Sequence, residues 1–137
     1  MNHWLVKSDP ESWSWQDHLR AHSAEWDGVR NHQAKGYLKA MAMGDHAFFY
    51  HSGDQRCICG IVRVVKTYYP DPTDKTHRFG MVDFQIVKPF VEPVTLARIK
   101  CDARLQQLVL VRNSRLSVQP VDPASWKIIC RMSQGTP

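Results

Sequence analysis

The chain is 137 residues long, 43% hydrophobic and 23% charged, with a formal charge of +5. These proportions suit one globular domain that buries a core without staples. Eight prolines and seven glycines are scattered, and no linker or low-complexity tract stands out. No stretch approaches the ~18 apolar residues of a membrane span, and the apolar run in Met1–Lys7 is too short for a secretory leader. A cytoplasmic protein without a membrane partner is the expectation, with its four cysteines reduced. The positive charge suits a polyanion. Because the basic residues are dispersed, no disordered basic arm is expected.

His3 to Lys7 reads as a first strand, broken by Asp9-Pro10. Ser14 caps a short helix, with Asp17 completing a loose capping box and Trp15 and Leu19 on its buried face. Trp26 to Asn31 is a loop around the turn signal Asp27-Gly28. Asn31 caps a second helix, whose Ala34, Leu38 and Met41 recur at i, i+4, i+7, and Gly44 stands where a C-terminal cap belongs. Ala47 to His51 and Cys57 to Lys66 are apolar strands joined by a Ser52-Gly53-Asp54 turn. The second is apolar on both faces except at Arg63, as in a covered sheet.

Residues Tyr69 to Asp74 form a proline-bearing loop, and Met81 to Val87 a third strand of this central group. Pro89 and Pro93 bracket a linking segment. Thr95 caps a helix over Leu96 and Ile99, and Asp102 to Leu108 continues helically. Arg115 to Val118 returns as a strand. Asp122-Pro123 starts a last helix anchored by Trp126 and Ile129. About five strands with interspersed helices make an α+β domain around a small curved sheet or barrel. It spans residues 1–137 as a single unit, the last few residues forming a flexible tail.

Catalytic signatures are missing. Neither a glycine-rich phosphate loop nor a GxSxG elbow occurs, nor the HxE and PCxxC pattern of base deaminases. His18 and His22 are four apart on a helix without the zincin glutamate, and a solvated helix face is the expectation for them. Cys57 and Cys59 share one face of a strand. Cys101 and Cys130 add no second knuckle, so core packing is expected rather than a metal. Asp83 reads as a structural hydrogen-bonding group rather than a general base.

Polar and aromatic clusters sit instead at strand ends and loops, where a rigid scaffold presents function. They are Trp4-Leu5-Val6-Lys7-Ser8, Trp26-Asp27-Gly28-Val29-Arg30-Asn31, Phe48-Phe49-Tyr50-His51-Ser52 and Arg112-Asn113-Ser114-Arg115-Leu116-Ser117. With Tyr69-Pro70-Asp71-Pro72-Thr73 and Ser114–Val121, this series resembles the EVE domain, a member of the PUA-like superfamily related to YTH domains. The resemblance covers nearly the whole chain. It implies a PUA-like mixed β pseudobarrel with flanking helices. It also implies a non-catalytic reader that holds a modified base of nucleic acid, a modified cytosine in DNA or a base of RNA, without a cofactor.

Carried over, Lys7 and Ser8 match a Lys-Ser pair on the first strand and Trp26 the pocket tryptophan. Asn31, His51, Ser52, Arg115 and Ser117 fall in blocks near that pocket. His32 replaces the usual Tyr or Pro. The short Asp74-to-Phe79 loop leaves a second cage aromatic either absent or supplied by Phe79. In this reading Trp26 stacks on the base, while Ser8, Asn31 and His51 read its edge. Lys7 and Arg115 meet phosphate or base edge. A loop position for Trp26 implies that its truncation costs the fold little. The alternatives are an enzyme or enzyme subunit acting on a modified nucleotide, and a peptide-binding module. A monomer is the expected state.

Overall fold

Capped helices and apolar strands alternate through the computed structural model, which describes residues 2–113 and 115–134. In chain order these are β1 (His3–Ser8), α1 (Trp15–Ala21), β2 (Ser23–Glu25), α2 (His32–Ala40), β3 (His46–His51), β4 (Cys57–Pro70) and β5 (Gly80–Thr95). Then come α3 (Leu96–Cys101), a 3-10 turn (Ala103–Leu105), α4 (Val109–Arg112), β6 (Val118–Val121) and α5 (Pro123–Met132). Ser114 and the expected tail at residues 135–137 lie outside the described residues.

The strands form one mixed sheet in the order β2-β5-β4-β3-β1-β6. β1 and β3 are parallel, from His3 against His46 to Ser8 against His51, and the other neighbours are antiparallel. A parallel pair needs a long crossover. Here it is everything from Asp9 to Asp45. That crossover carries α1, β2 and α2, and with them Trp13 and Trp26.

The capping chemistry read from the sequence is present. Ser14 Oγ accepts the Asp17 N–H at 3.1 Å, and the Asp17 carboxylate accepts the Ser14 N–H at 2.9 Å. Asn31 Oδ1 accepts from Ala34 N, Thr95 Oγ1 from Arg98 N and Asp122 Oδ2 from Ser125 N. Each satisfies an amide that a helix start leaves unpaired.

Alternation along β1 and β3 feeds two cores, one on each sheet face. Trp4, Val6, Ala47 and Phe49 join Trp15, Trp26, Leu38 and Phe84. Leu5, Phe48 and Tyr50 join Ile99, Leu110, Trp126 and Ile129. Trp126 stacks on Phe48, with ring centroids 3.8 Å apart and planes 15° apart.

Several expectations need correction. The segment Pro89–Pro93 is not a link but part of β5, which runs through Thr95. The prolines are tolerated because β2 covers β5 only opposite Asp83–Gln85, leaving the later residues an open edge that needs no donor. β2 has no counterpart among the expected elements. Gly44 does not cap α2. The helix stops at Ala40 with Met41 as its cap, and Gly44 makes the turn into β3 at φ +85°.

Asp45 explains that early stop. Its buried carboxylate accepts from Ala42 N, Trp4 Nε1 and Asn2 N, which draws the chain out of the helix. The strand expected over Arg115–Val118 begins only at Val118. The run from Asp102 divides into the 3-10 turn and α4.

The β4–β5 register shifts between Ile58 and Gly60 and between Ile61 and Val62, and the Trp15 ring of α1 lies close against Gly60. A Cβ added at Gly60 would lie 2.5 Å from the Trp15 indole and 2.6 Å from the Lys88 carbonyl oxygen. The backbone oxygen cannot swing aside. Gly60→Ala is therefore expected to lower stability by about 1–3 kcal/mol, read from urea denaturation. Unchanged stability would show that the strand pair yields at this point.

Candidate functional site

A cleft of about 700 Å³ opens at the C-terminal end of β1. Lys7 and Ser8 come from the strand end, Trp13 from the turn before α1, and Glu25, Trp26 and Asp27 from the chain after β2.

Trp26 is only 7% exposed. Its indole meets Phe49 and Phe84 edge-on, with centroids 5.3 and 5.6 Å away, and its backbone N–H donates to the Val82 carbonyl at 2.7 Å. It is thus a wall of the cleft and a member of the core at once. The expectation that its truncation would cost the fold little is corrected by that packing.

His18 fixes the opposite side. Its Nδ1 accepts the Trp13 indole N–H at 3.0 Å, and its Nε2–H donates to the Phe84 carbonyl at 2.8 Å. Its ring centroid stands 6.2 Å from that of Trp26. The expected solvated helix face is therefore wrong for His18, which is fully buried, while exposed His22 ends the helix. Ser8 Oγ donates to the Trp13 carbonyl, tying the same turn to β1.

The loop carrying Trp26, Asp27 and Gly28 is pinned by Asp71. That buried carboxylate accepts from Gly28 N at 2.9 Å, Arg30 Nη1 at 3.1 Å and both the N–H and hydroxyl of Thr73. Burial opposes its ionisation, but the bonds from Thr73, Gly28 and Arg30 outweigh it and hold the carboxyl below the ordinary range. Gly28 needs no side chain here because its φ is +79°. Asp27 is shifted the other way. Burial raises its carboxyl, and the neighbouring charges of Asp71 and Glu25 add to that.

The remaining residues singled out from the sequence divide by location. Lys7 lines the cleft, its N–H donating to Ser117 O at 2.9 Å and its ammonium 5.6 Å from the Tyr50 ring centre. Burial lowers its pKa. Ser117 supports the site through that carbonyl, and Arg115 is exposed two residues earlier.

Ser52 donates its N–H to Ser8 O at 2.9 Å and lines an adjoining cleft with Asp9 and Gln55. His51 is buried behind it. Its Nε2 accepts the Trp15 N–H at 2.8 Å, and its Nδ1–H donates to Gln55 Oε1 at 2.7 Å. Asn31 is spent on its helix cap, and Phe79 packs against His32, Arg30 and Lys35. Neither lines the Trp26 cleft.

Trp13, Asp27 and His18 were not singled out as site residues. The capping box held a signal for Trp13: a helix that starts at Trp15 leaves Trp13 in the turn facing the Lys7-Ser8 strand end. Among the described residues one trio, His51, Cys57 and Cys59, places ligand atoms within 4.8 Å of one another. Both ring nitrogens of His51 are already engaged. The two thiols lie 4.0 Å apart in the apolar core, and their mutual contact lowers the Cys57 thiol and raises that of Cys59.

A curved mixed sheet with a tryptophan-walled cleft at a strand end defines an α+β domain of PUA-like fold. The chain belongs to the EVE domain family, whose model matches residues 2–132. A solution structure of Rpa0253 from Rhodopseudomonas palustris is 46% identical, covers 97% of this chain and 93% of its own, and superposes with a TM-score of 0.91. Human THYN1 protein, crystallised in complex with 5-methylcytosine-containing DNA, is 32% identical with full coverage of both chains and a TM-score of 0.91. An ASCH protein from Zymomonas mobilis shares the fold alone, at 9% identity and a TM-score of 0.57 over 96% of this chain and 95% of its own.

Burial lowers the pKa of His18, although its bond to the Phe84 carbonyl acts in the opposite direction. The unfolded ring protonates near 6.5, so below that pH the unfolded state takes up the proton first. Stability is therefore expected to fall as the pH drops below about 6.5. An NMR titration should show the His18 ring neutral, protonated at Nε2, down to a pH below the ordinary histidine midpoint. A midpoint at or above 6.5 would mean that the Trp13–His18–Phe84 chain is not formed in solution.

Proposed function

We propose that this protein is a non-catalytic reader that holds one extruded, modified base, a modified cytosine of DNA, in the cleft walled by Trp13 and Trp26. The observation that carries this reading is the cleft itself: two tryptophans from separate parts of the crossover on one cavity, held by His18 and Asp71. A modified base is flat and polarisable, and stacking on an indole contributes about 1–3 kcal/mol per base. The bound DNA of the human relative supports the same ligand class. Lys7 and Ser8 stand at the cleft to meet the base edge, and exposed Arg115 beyond Ser117 to meet phosphate. RNA carrying such a base is the second polymer to test. We further propose a cytoplasmic monomer.

The two tryptophans give different outcomes on truncation. Trp26→Ala empties a core position and is expected to destabilise the fold by about 3–5 kcal/mol. Trp13 is half-buried on a turn, so Trp13→Ala, which leaves buried His18 Nδ1 without its donor, should cost the fold about 1–3 kcal/mol, less than Trp26→Ala, and lose about five- to 150-fold in affinity for an oligonucleotide carrying 5-methylcytosine. Melting temperature and fluorescence-anisotropy titration, measured on both variants, separate the two effects. A folded Trp13→Ala protein that binds like wild type removes the stacking site.

Arg115→Ala is expected to weaken binding evenly across sequences. One lost phosphate contact lowers the slope of log affinity against log salt by about one unit. Titrations from low to moderate salt check this. An unchanged slope would take Arg115 off the phosphate path.

A further inference from the structure

Within the reader function proposed above, we infer that Asp27 selects the base: its carboxylate accepts the exocyclic amine of a 4-aminopyrimidine and turns away bases that carry a carbonyl at that place.

The charge in the cleft is the first reason. Asp9, Glu25 and Asp27 line it against a single cation, Lys7, among the described residues. Such a lining repels a phosphate and accepts a neutral base, so the group inside the cleft is the base and not the backbone. An ionised carboxylate only accepts hydrogen bonds. The base edge facing it must therefore donate. Cytosine and its 5-substituted forms present the N4 amine there, the pairing expected between an acidic side chain and cytosine. Thymine and uracil present O4, whose lone pairs would oppose the carboxylate with no proton between them.

The second reason is that stacking cannot make this distinction. 5-Methylcytosine and thymine have the same ring size and the same 5-methyl group. Stacking on Trp13 and Trp26 treats them alike, since every base offers a π-face. The discrimination has to come from a fixed polar group.

Of the three acids, Asp27 is adjacent to Trp26 and sits on the loop that Asp71 ties down through Gly28 at 2.9 Å and Arg30 at 3.1 Å. Asp9 turns one oxygen to the Glu11 N–H at 3.0 Å, and Glu25 belongs to the edge strand β2, outside the loop that Asp71 ties down. Burial already disfavours the charge of Asp27. A donor arriving with the base relieves that penalty, whereas an acceptor deepens it.

The test uses the full chain and single-stranded oligonucleotides that differ at one position: 5-methylcytosine, thymine, 5-methyl-2-pyrimidinone, which lacks the exocyclic group, or an abasic site. Wild type is expected to prefer 5-methylcytosine to thymine by about five- to 150-fold. In Asp27→Asn the amide accepts from N4 or donates to O4, so the ratio should fall towards one, largely through tighter binding of thymine. Asp27 is exposed, and circular dichroism melting confirms that the variant is folded. The wild type probed with 5-methyl-2-pyrimidinone is a second arm that needs no variant, and a loss like that seen with thymine is expected.

A variant that keeps the wild-type ratio overturns the role of Asp27. Equal wild-type binding of 5-methylcytosine and thymine, both tighter than the abasic strand, overturns the selection but leaves the stacking pocket in place. No preference for any base over the abasic site overturns the reader function as well.

Discussion

His18 makes two hydrogen bonds on which the geometry of the cleft depends. A buried imidazole has one donor and one acceptor, and both must be satisfied or the group costs stability. Here the acceptor takes the Trp13 indole and the donor takes the Phe84 carbonyl. The first bond fixes the turn that follows β1, and the second fixes α1 to β5. The ring also stands edge-on to Phe49, 5.6 Å between centroids, within the aromatic group that holds Trp26. One neutral side chain thus connects both walls of the cleft to the sheet.

That arrangement follows from the parallel pairing of β1 with β3. Ser8 and His51 end side by side, and the chain between them must leave the sheet and return. The crossover passes over one face, where Phe49, Val62 and Phe84 need cover. Trp15 and Trp26 supply it. The other face is covered by α3, α4 and α5 around Trp126 and Phe48. Both faces of β3 are therefore buried, and this is why Ala47-Phe48-Phe49-Tyr50 is apolar without alternation. The site is built from the part of the chain that topology forces to be irregular, and the hydrogen bonds of Ser8, His18, His51 and Asp71 make it rigid.

Local signals were legible in the sequence and long-range ones were not. The caps at Ser14, Asn31, Thr95 and Asp122 are chemistry within three residues, and each forms as read. β2 was not legible, because Ser23-Ala24-Glu25 has no pattern of its own and exists as a strand only against Asp83–Gln85. The passage of β5 through Pro89 and Pro93 depends on its neighbour ending early, which no window of sequence reports. His18 carries the same information as His22 in the chain. It is buried because the Phe84 carbonyl and the Trp13 indole come to it from other elements. Lys7, Ser8 and Trp26 on the cleft were accessible through resemblance and position. Trp13 was legible only indirectly, through the capping box that starts α1 at Trp15, and Asp27 became apparent only once the crossover placed it beside the end of β1.

The electrostatics of the cleft and of the whole chain have opposite signs, and under the proposed reading this divides the work of binding. The net charge of +5 attracts a polyanion from any direction. The cleft, with three carboxylates and one ammonium, does not. Extruding a base costs a few kcal/mol, and one or two stacking contacts return an amount of the same size. The cleft alone therefore leaves little net affinity for duplex DNA. Contacts to phosphate outside it must supply the affinity, and they are indifferent to sequence. What the cleft adds is a difference between bases. Such a difference is large only where a wrong base would leave a buried polar group unpaired. The Asp27 carboxylate, exposed in the free protein, is covered once a base stacks beside it and then meets that condition, and two tryptophans by themselves do not.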